Sequence, residues 1–389
     1  MTRLPRLSTF YAKQRVNIHD DDFISHITTK TGHRPVSTTA FDVSLTCLRS
    51  TIKNNMTTDN FPLTAIHLVY TCKAIDPIRL HPHKAGGQLR GAFARVLLRV
   101  ACPHNGQCPN DAQCPACTLL REEAHGGDQR RPYALNPPTF APDENGQIAA
   151  GQLFRFGITL FGDGLRYLPY LIVPWHGAGE LGVGLHGNTG RGRFALCEIV
   201  SLNPFSGDVE GVLAEGEQVV RLPENEINHA QMLTMQPIEG VNRDQSPHHR
   251  PSQVAFGLHF ITPMRIISNQ EILRVPHFGL LFKALLKRLD DLTKQYADPH
   301  FRRPREQIDL LEAAANRVMM QATHTEWIDL FSGSSRTYSR TPTGGFVGYA
   351  QYSALLADWQ LLRPWLHWGE LAQVGKNTVK GDGVFRIEN

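Results

Sequence analysis

The sequence has almost no charge imbalance: 40 Lys and Arg stand against 36 Asp and Glu, a formal charge of +4 over 389 residues. Electrostatics alone therefore does not announce a nucleic-acid binder, although 18 histidines leave room for one. Long apolar runs are missing as well. The greasiest stretch, "LPYLIVPW" from Leu168 to Trp175, is broken by prolines, whereas a spanning helix needs about 18 or more apolar residues, so no membrane partner is expected. The opening "MTRLPRLSTFYAKQRVNIHDDD" lacks the apolar core of a secretion signal, which makes the cytoplasm the expected compartment. Seven cysteines are too few for a disulfide scaffold of this length. A nucleotide P-loop is absent, because Gly375-Lys376 is followed by Asn377, and with it goes the expectation of a nucleotide cofactor. There is no G-x-S-x-G elbow, no H-E-x-x-H and no paired-carboxylate motif.

What is present is an ordinary globular composition, 41% hydrophobic and 20% charged, long enough for two domains. Residues 1–60 are polar with little periodicity and read as a partly ordered extension. "PLTAIHLVYTCKA" (Pro62 to Ala74) reads as a strand. In "GGQLRGAFARVLLRVA", Leu89, Phe93, Val96, Leu97 and Val100 recur at three and four, one apolar helical face. "GQLFRFGITLFG", a helical segment from about Leu165 to Gly179, and the strand "FALCEIVSLN" complete a β-α-β-β-α-β order, if one weak strand precedes Gly151. The polar, Pro-containing loop from Asn242 to Ser252 marks the boundary. Beyond it the order repeats: "QVAFGLHFITPMRI" as a strand, then one helical stripe from Phe278 to Tyr296 and a second through Ile308, Leu311, Ala315, Val318 and Ala322. "EWIDLF" and "GGFVGYAQY" read as strands, Tyr352, Leu355, Leu356, Trp359 and Leu362 as a helix face, and "GVFRI" as the closing strand. The expected fold is α+β, with two tandem ferredoxin-like (RRM-like) βαββαβ domains, 61–241 and 242–389, the first carrying an insertion at about 101–135 and the second a glycine-rich C-terminal loop.

Chemistry concentrates in three places. Cys102, Cys108, Cys114 and Cys117 crowd a Pro/Asn/Gly-rich window with the number and softness of ligands for a closed, structural tetrahedral zinc; His104 could replace one sulfur. "RLHPHKAGGQLRG" sets His81, His83 and Lys84 at a helix mouth with Gly86 and Gly87, an imidazole pair, a cation and N–H donors such as phosphodiester chemistry requires. The loops "GLHGNTGRGRF" and "VGKNTVKGDGVFRI" let backbone approach phosphate while Arg191, Arg193, Lys376 and Lys380 supply charge. Tight turns with solvated charges would explain these loops equally well. Arg336 and Arg340 add a basic edge in "SGSSRTYSRTPTGG".

Taken together, "GGQLRGAF" followed by the cysteine cluster, "RRPYALNPPTF", "GQLFRFGITLFGDGLRYLPYLI", "GVGLHGNTGRGRFALCEI", "FITPMRI", "EWIDLF", "GGFVGYAQY" and "LHWGELAQVGKNTVKGDGVFRI" resemble the repeat-cleaving CRISPR-associated endoribonucleases, Cas family six, of the repeat-associated mysterious protein (RAMP) superfamily. The resemblance spans about residues 62–389. It implies an endoribonuclease of antiviral defence that cuts precursor CRISPR RNA within its repeats without a catalytic metal, the ribose 2′-hydroxyl attacking phosphorus to leave a 2′,3′-cyclic phosphate and a 5′-hydroxyl. The family's glycine-rich end is matched by Gly375, Lys376, Gly381 and Gly383. It departs at Asp382, where an apolar residue commonly separates the glycines. The family's catalytic residues usually lie near the first helix, but their identity varies, so no residue carries over by motif. That neighbourhood makes His81 and His83 the catalytic candidates, with Lys84 as cation and His104 as a third imidazole. The expected RNA contacts are Arg90, Arg191, Arg193, Arg336, Arg340, Gly375, Lys376, Lys380, Gly381 and Gly383. The competing expectation is a non-cleaving RAMP subunit that grips guide RNA among other subunits of a CRISPR effector complex.

Overall fold

In the computed structural model the residues described are 61–109, 114–120, 130–140, 145–187, 190–217, 219–234, 253–333 and 340–388. The polar extension over 1–60 and the expected boundary loop at 242–252 lie outside them. Pro62–Asn389 holds together as one unit whose two larger sheets among the described residues, of five and four strands, are antiparallel. Among the described residues no helix is long and apolar enough to cross a membrane.

The first sheet is built around β1 (Ala65–Ala74), whose two faces are both buried apart from Lys73. It pairs on one side with β3 (Leu153–Phe161), which carries β2 (Tyr133–Asn136) beyond it. On the other side it pairs with β6 (Phe194–Leu202), followed by β7 (Val209–Leu213). The spatial order is therefore β2-β3-β1-β6-β7. Alternation places Ile66, Leu68, Tyr70 and Cys72 on one face, where α1 (Ala85–Ala101) and α3 (Pro174–Leu181) cover them. Tyr70 stacks on Phe156 at 4.7 Å, and Trp175 joins Phe156 and Phe93 at 4.5 and 4.9 Å, a packed aromatic centre. Leu89, Phe93, Val96 and Leu97 form the buried face of α1, as their spacing predicts. Val100 does not join them; at 58% exposure it sits where the helix ends and has left the sheet.

The second sheet has the order β9-β10-β8-β11, from β8 (Gln253–Met264), β9 (Met319–Ile328), β10 (Gly345–Leu355) and β11 (Phe385–Glu388). Helices α4 (Phe278–Tyr296), α5 (Arg305–Arg317) and α6 (Leu356–Ala372) accompany it. Two expected helix faces need correction. Val318 caps α5 in an extended conformation and Ala322 lies on β9, while Tyr352 and Leu355 lie on β10, with α6 beginning only at Leu356. The expected continuous helix over 165–179 is instead a 3-10 turn, a short helix and α3. Pro169 and Pro174 lack the N–H that would continue a helix, and each stands in the first turn of a new one. Strands β4 (Val183–Gly187) and β5 (Gly190–Gly192) pair antiparallel; this pair, β7 and the short helix His229–Thr234 were not among the expected elements.

Polar contacts tie the two sheets' layers together. Gln373 Nε2 donates to Leu135 O and Asn136 Oδ1, both at 2.7 Å, from the end of α6 to β2. Trp368 Nε1 donates to His229 Nδ1 at 3.1 Å. Arg130 reaches Asp291 of α4 at 3.0 Å, while Tyr296 OH donates to Arg130 O. These bonds fix where α6 ends, and so where the glycine-rich segment behind it begins.

Candidate active site

The segment between β1 and α1 folds on its own polar groups. His81 N–H donates to Gln88 Oε1 at 2.8 Å, and Lys84 N–H to His81 O at 2.9 Å. His83 N–H donates to His81 Nδ1 at 3.2 Å, so that ring nitrogen is an acceptor and the proton of neutral His81 resides on Nε2. The two rings lie 6.2 Å apart, half-buried. Burial, with the Lys84 and His83 charges adding to it, holds the His81 imidazole below its ordinary value. Burial also lowers His83, opposed by the Glu326 carboxylate on β9. Both rings are thereby biased toward the neutral form. No side chain caps α1 at Lys84, so the first amides of the helix, Ala85 to Gly87, are left for other partners.

The glycine-rich segment after α6 comes to this same helix mouth. Gly375, Gly381 and Gly383 have φ of +95°, +84° and +80°, and Asn377 has +64°, so the chain turns through conformations that L side chains rarely adopt. Asn377 O accepts from Lys380 N at 2.7 Å, closing a one-turn 3-10 helix over Thr378–Lys380. A Cβ on Gly86 would stand 2.3 Å from the Lys380 carbonyl oxygen, and one on Gly381 3.3 Å from Gly86 Cα. The two backbones touch only because both residues are glycine. Lys376 is exposed and Lys380 half-buried on this loop. Asp382 is buried, and burial pushes its carboxyl well above the ordinary carboxylate range. Burial at this position disfavours the charged form of Asp382.

The structure thus gathers His81, His83, Lys84, the opening amides of α1, Gly381 and Lys380 in one place. It does not bring His104 to them. Helix α1 has 17 residues, about 25 Å of rise, and His104 lies past its far end, 3.4 Å from Cys108 Sγ. Arg193 holds Asp76 at 2.7 Å, which offsets its charge, and Arg90 donates to Leu120 O at 3.0 Å, bracing the cysteine segment. Arg191 stands on β5. Arg340 begins a short strand, Arg340–Pro342, and Arg336 lies outside the described residues. Gln88 and Glu326 were not singled out by sequence reasoning, and Asp382 was noted only as a departure from the glycine pattern. Only the interruption of the glycines at Asp382 gave any signal.

The four cysteines converge. The Sγ atoms of Cys102, Cys108, Cys114 and Cys117 lie within 4.8 Å of one another, all buried. Cys102 Sγ is 3.4 Å from Cys108 Sγ and 3.8 Å from Cys117 Sγ. A tetrahedral ion bound at about 2.3 Å to each sulfur requires such a spread, so the cluster could hold a metal ion such as zinc. The helix α2 (Pro115–Leu120) carries Cys117 and follows Cys114, and Gly106 N–H donates to Cys102 Sγ at 3.0 Å.

Comparison with known proteins adds two family matches. Residues 62–225 match a family model described as an N-terminal domain, and residues 258–385 match the CRISPR-associated endoribonuclease Cas6. Among solved structures, a partial Cas6-RT-Cas1–Cas2 complex is similar at 14% identity and a TM-score of 0.50, over 84% of this chain and 46% of that one. Cas6 of Thermus thermophilus is similar at 15% identity and a TM-score of 0.47, over 84% and 98%. A Cas6 product complex is similar at 15% identity and 0.48, over 83% and 99%. No curated protein matches the sequence.

Proposed function

We propose that this chain, a Cas6-type protein by the match of its residues 258–385, binds CRISPR repeat RNA and cleaves it to guide RNAs at the mouth of α1, by a transesterification that needs no metal. The observation that carries this reading is the meeting of the His81/His83 pair with the glycine-rich loop across Gly86 and Lys380. His83, held neutral by burial, takes the 2′-hydroxyl proton as the 2′-oxygen bonds to phosphorus and the bond to the 5′-oxygen breaks. The Lys84 ammonium gives its proton to the leaving 5′-oxygen and is reprotonated from the His83 imidazolium through solvent, while His81 Nε2–H and the free amides of α1 donate hydrogen bonds to the phosphorane oxygens. The nucleotide must be splayed to present its 2′-hydroxyl in line, which favours single-stranded or hairpin-flanking RNA over duplex. Purified protein incubated with labelled repeat RNA and EDTA tests this directly. Product ends of 2′,3′-cyclic phosphate and 5′-hydroxyl are expected; a gel shift without cleavage makes the chain a guide-RNA-gripping subunit instead.

The two sheets fit a tandem ferredoxin-like arrangement, 61–241 and 242–389. In each, the first strand of the unit sits between the third and the fourth, with the second outermost, the order that βαββαβ units adopt. In this reading the RNA follows the glycine loop that carries Lys376 and passes Arg193. Lys376→Ala should weaken repeat binding and lower the slope of log affinity against log salt by about 0.7, one phosphate's share on a single strand. Arg193→Ala should cost less, because Asp76 already neutralises that guanidinium. Equal losses in a filter-binding salt series would place the RNA differently.

The cysteine cluster is proposed as a structural zinc site that pins the insertion at 101–135; four thiolates close the coordination sphere and leave no place for an activated water. Native protein should carry about one zinc per chain by elemental analysis. Cys114→Ser should lose the zinc and loosen the segment, seen as faster amide exchange there, with cleavage chemistry retained. Zinc-free native protein would refute the site.

A further inference from the structure

At the end of α1 away from the histidines lies a cavity of about 500 Å³ lined by Arg95, Leu98, Arg99, Cys102, Pro103, Asn105 and Leu181. Arg95 and Arg99 are one helical turn apart, on the same face. Arg191 joins them from β5: a Cβ on Gly182, next to the cavity's Leu181, would stand 3.0 Å from Arg191 Cβ. All three arginines are exposed. Among the described residues none of them forms an ion pair, unlike Arg193 two positions on, which is held by Asp76. Like charges gathered without an acid repel one another, and an anion among them relieves that repulsion. Burial and the Arg191 charge both depress the Arg95 guanidinium, as expected for cations crowded together.

We propose that Arg95, Arg99 and Arg191 form a second, sequence-independent binding site for the phosphate backbone of single-stranded RNA, floored by the cysteine knuckle. The i,i+4 arginines present their guanidiniums about 5–6 Å apart at Cβ, side by side along the helix, a spacing that suits successive phosphates of one strand. Pro103 and Asn105 form the wall of the cavity and belong to the turn that the cysteines hold. The metal-binding module thus shapes an RNA contact as well as closing a loop. Helix α1 then runs as a ruler from the histidine pair to this site, roughly 15–20 Å by its rise per residue. This extends the reading of the chain as a repeat-RNA processing protein, since it assigns where RNA leaving the cleavage site would run.

The test uses the full chain and a labelled uridine oligonucleotide, which carries phosphates and no repeat sequence. Fluorescence anisotropy over a potassium chloride series gives affinity and salt slope. R95A/R99A should bind about tenfold more weakly at low salt, with the slope reduced by about 1.4 for two lost phosphate contacts. R95K/R99K, which keeps both charges, should retain the parental slope. Parental affinity and slope in R95A/R99A would overturn the site and leave the arginines as solvated charges; so would failure of the parent to bind the oligonucleotide, or a lysine variant as impaired as the alanine one. Cleavage of repeat RNA by the parent is scored separately. Its failure would remove the proposed activity, while the oligonucleotide series still decides this site.

Discussion

Single-turnover cleavage of repeat RNA should slow by on the order of a hundredfold in His83→Ala, and comparably in His81→Ala, with RNA affinity changed by no more than about twofold, because a positioned acid or base contributes roughly 10²- to 10⁴-fold. The two substitutions differ in cause. His83→Ala removes the proposed proton acceptor, whereas His81→Ala removes the proposed Nε2–H donor together with the Nδ1 acceptor that holds the His83 amide. A 2′-deoxy residue at the scissile nucleotide should abolish product, since the nucleophile is gone. The pH profile follows from the lowered imidazoles. The active base is neutral, so rate is lost only where protonation sets in. With both rings held below the ordinary value of about 6.5, the acidic limb should fall below pH 6.5. Parental rates in both alanine variants would refute the assignment, and a limb centred above pH 7 would refute the neutral-base role.

Acid should destabilise the fold well before its carboxylates titrate. His67 on β1 is fully buried and bonded through Nδ1 to Thr159 Oγ1 at 2.9 Å; burial first, then the Arg386 charge, takes it down to about 3. His229, beside Trp368 and Trp365, is lowered to about 4 by burial and the Arg303 charge. In the unfolded chain both titrate near 6.5. Since the folded values are the lower ones, the unfolded state binds more protons in this window. Stability is therefore complete above pH 6.5 and declines as pH falls toward 4 and 3. At about 1.4 kcal/mol per pH unit and per histidine, pH 5 should cost roughly 2 kcal/mol for each. Asp382 acts in the opposite sense, its raised carboxyl favouring the fold as acid protonates it. Urea midpoints at pH 7.5 and 5.0 check the net effect, and His67→Gln should flatten the difference. Equal midpoints in the parent would refute it.

Where the sequence was legible, the reason is local periodicity. β1, β3, β6 and β8 are short, β-branched or aromatic runs bounded by turn residues, and α1 and α4 carry sustained three-four stripes. Element ends were less legible. Ala322 and Tyr352 are apolar neighbours of helices that continue a stripe in one dimension while their backbones already belong to strands. The cysteine cluster was legible because its ligands are near in sequence and soft in chemistry. His104 misled for a related reason: closeness along the chain to the other histidines passes through a whole helix, which carries it away from them. The Gly86–Lys380 contact, the Asp76–Arg193 pair and the place of Glu326 join residues far apart in sequence, and no local pattern encodes such meetings.

The glycine loop that rests on Gly86 is separated from the histidines by roughly 300 residues, which a ribosome needs on the order of 15–60 s to add. The histidine pair therefore leaves the ribosome long before its other half exists. A nascent or prematurely terminated chain would display the imidazoles without the backbone that closes over the helix mouth. Under the proposed assignment, a chain that stops before Lys380 lacks the backbone that meets Gly86 and should not cleave repeat RNA.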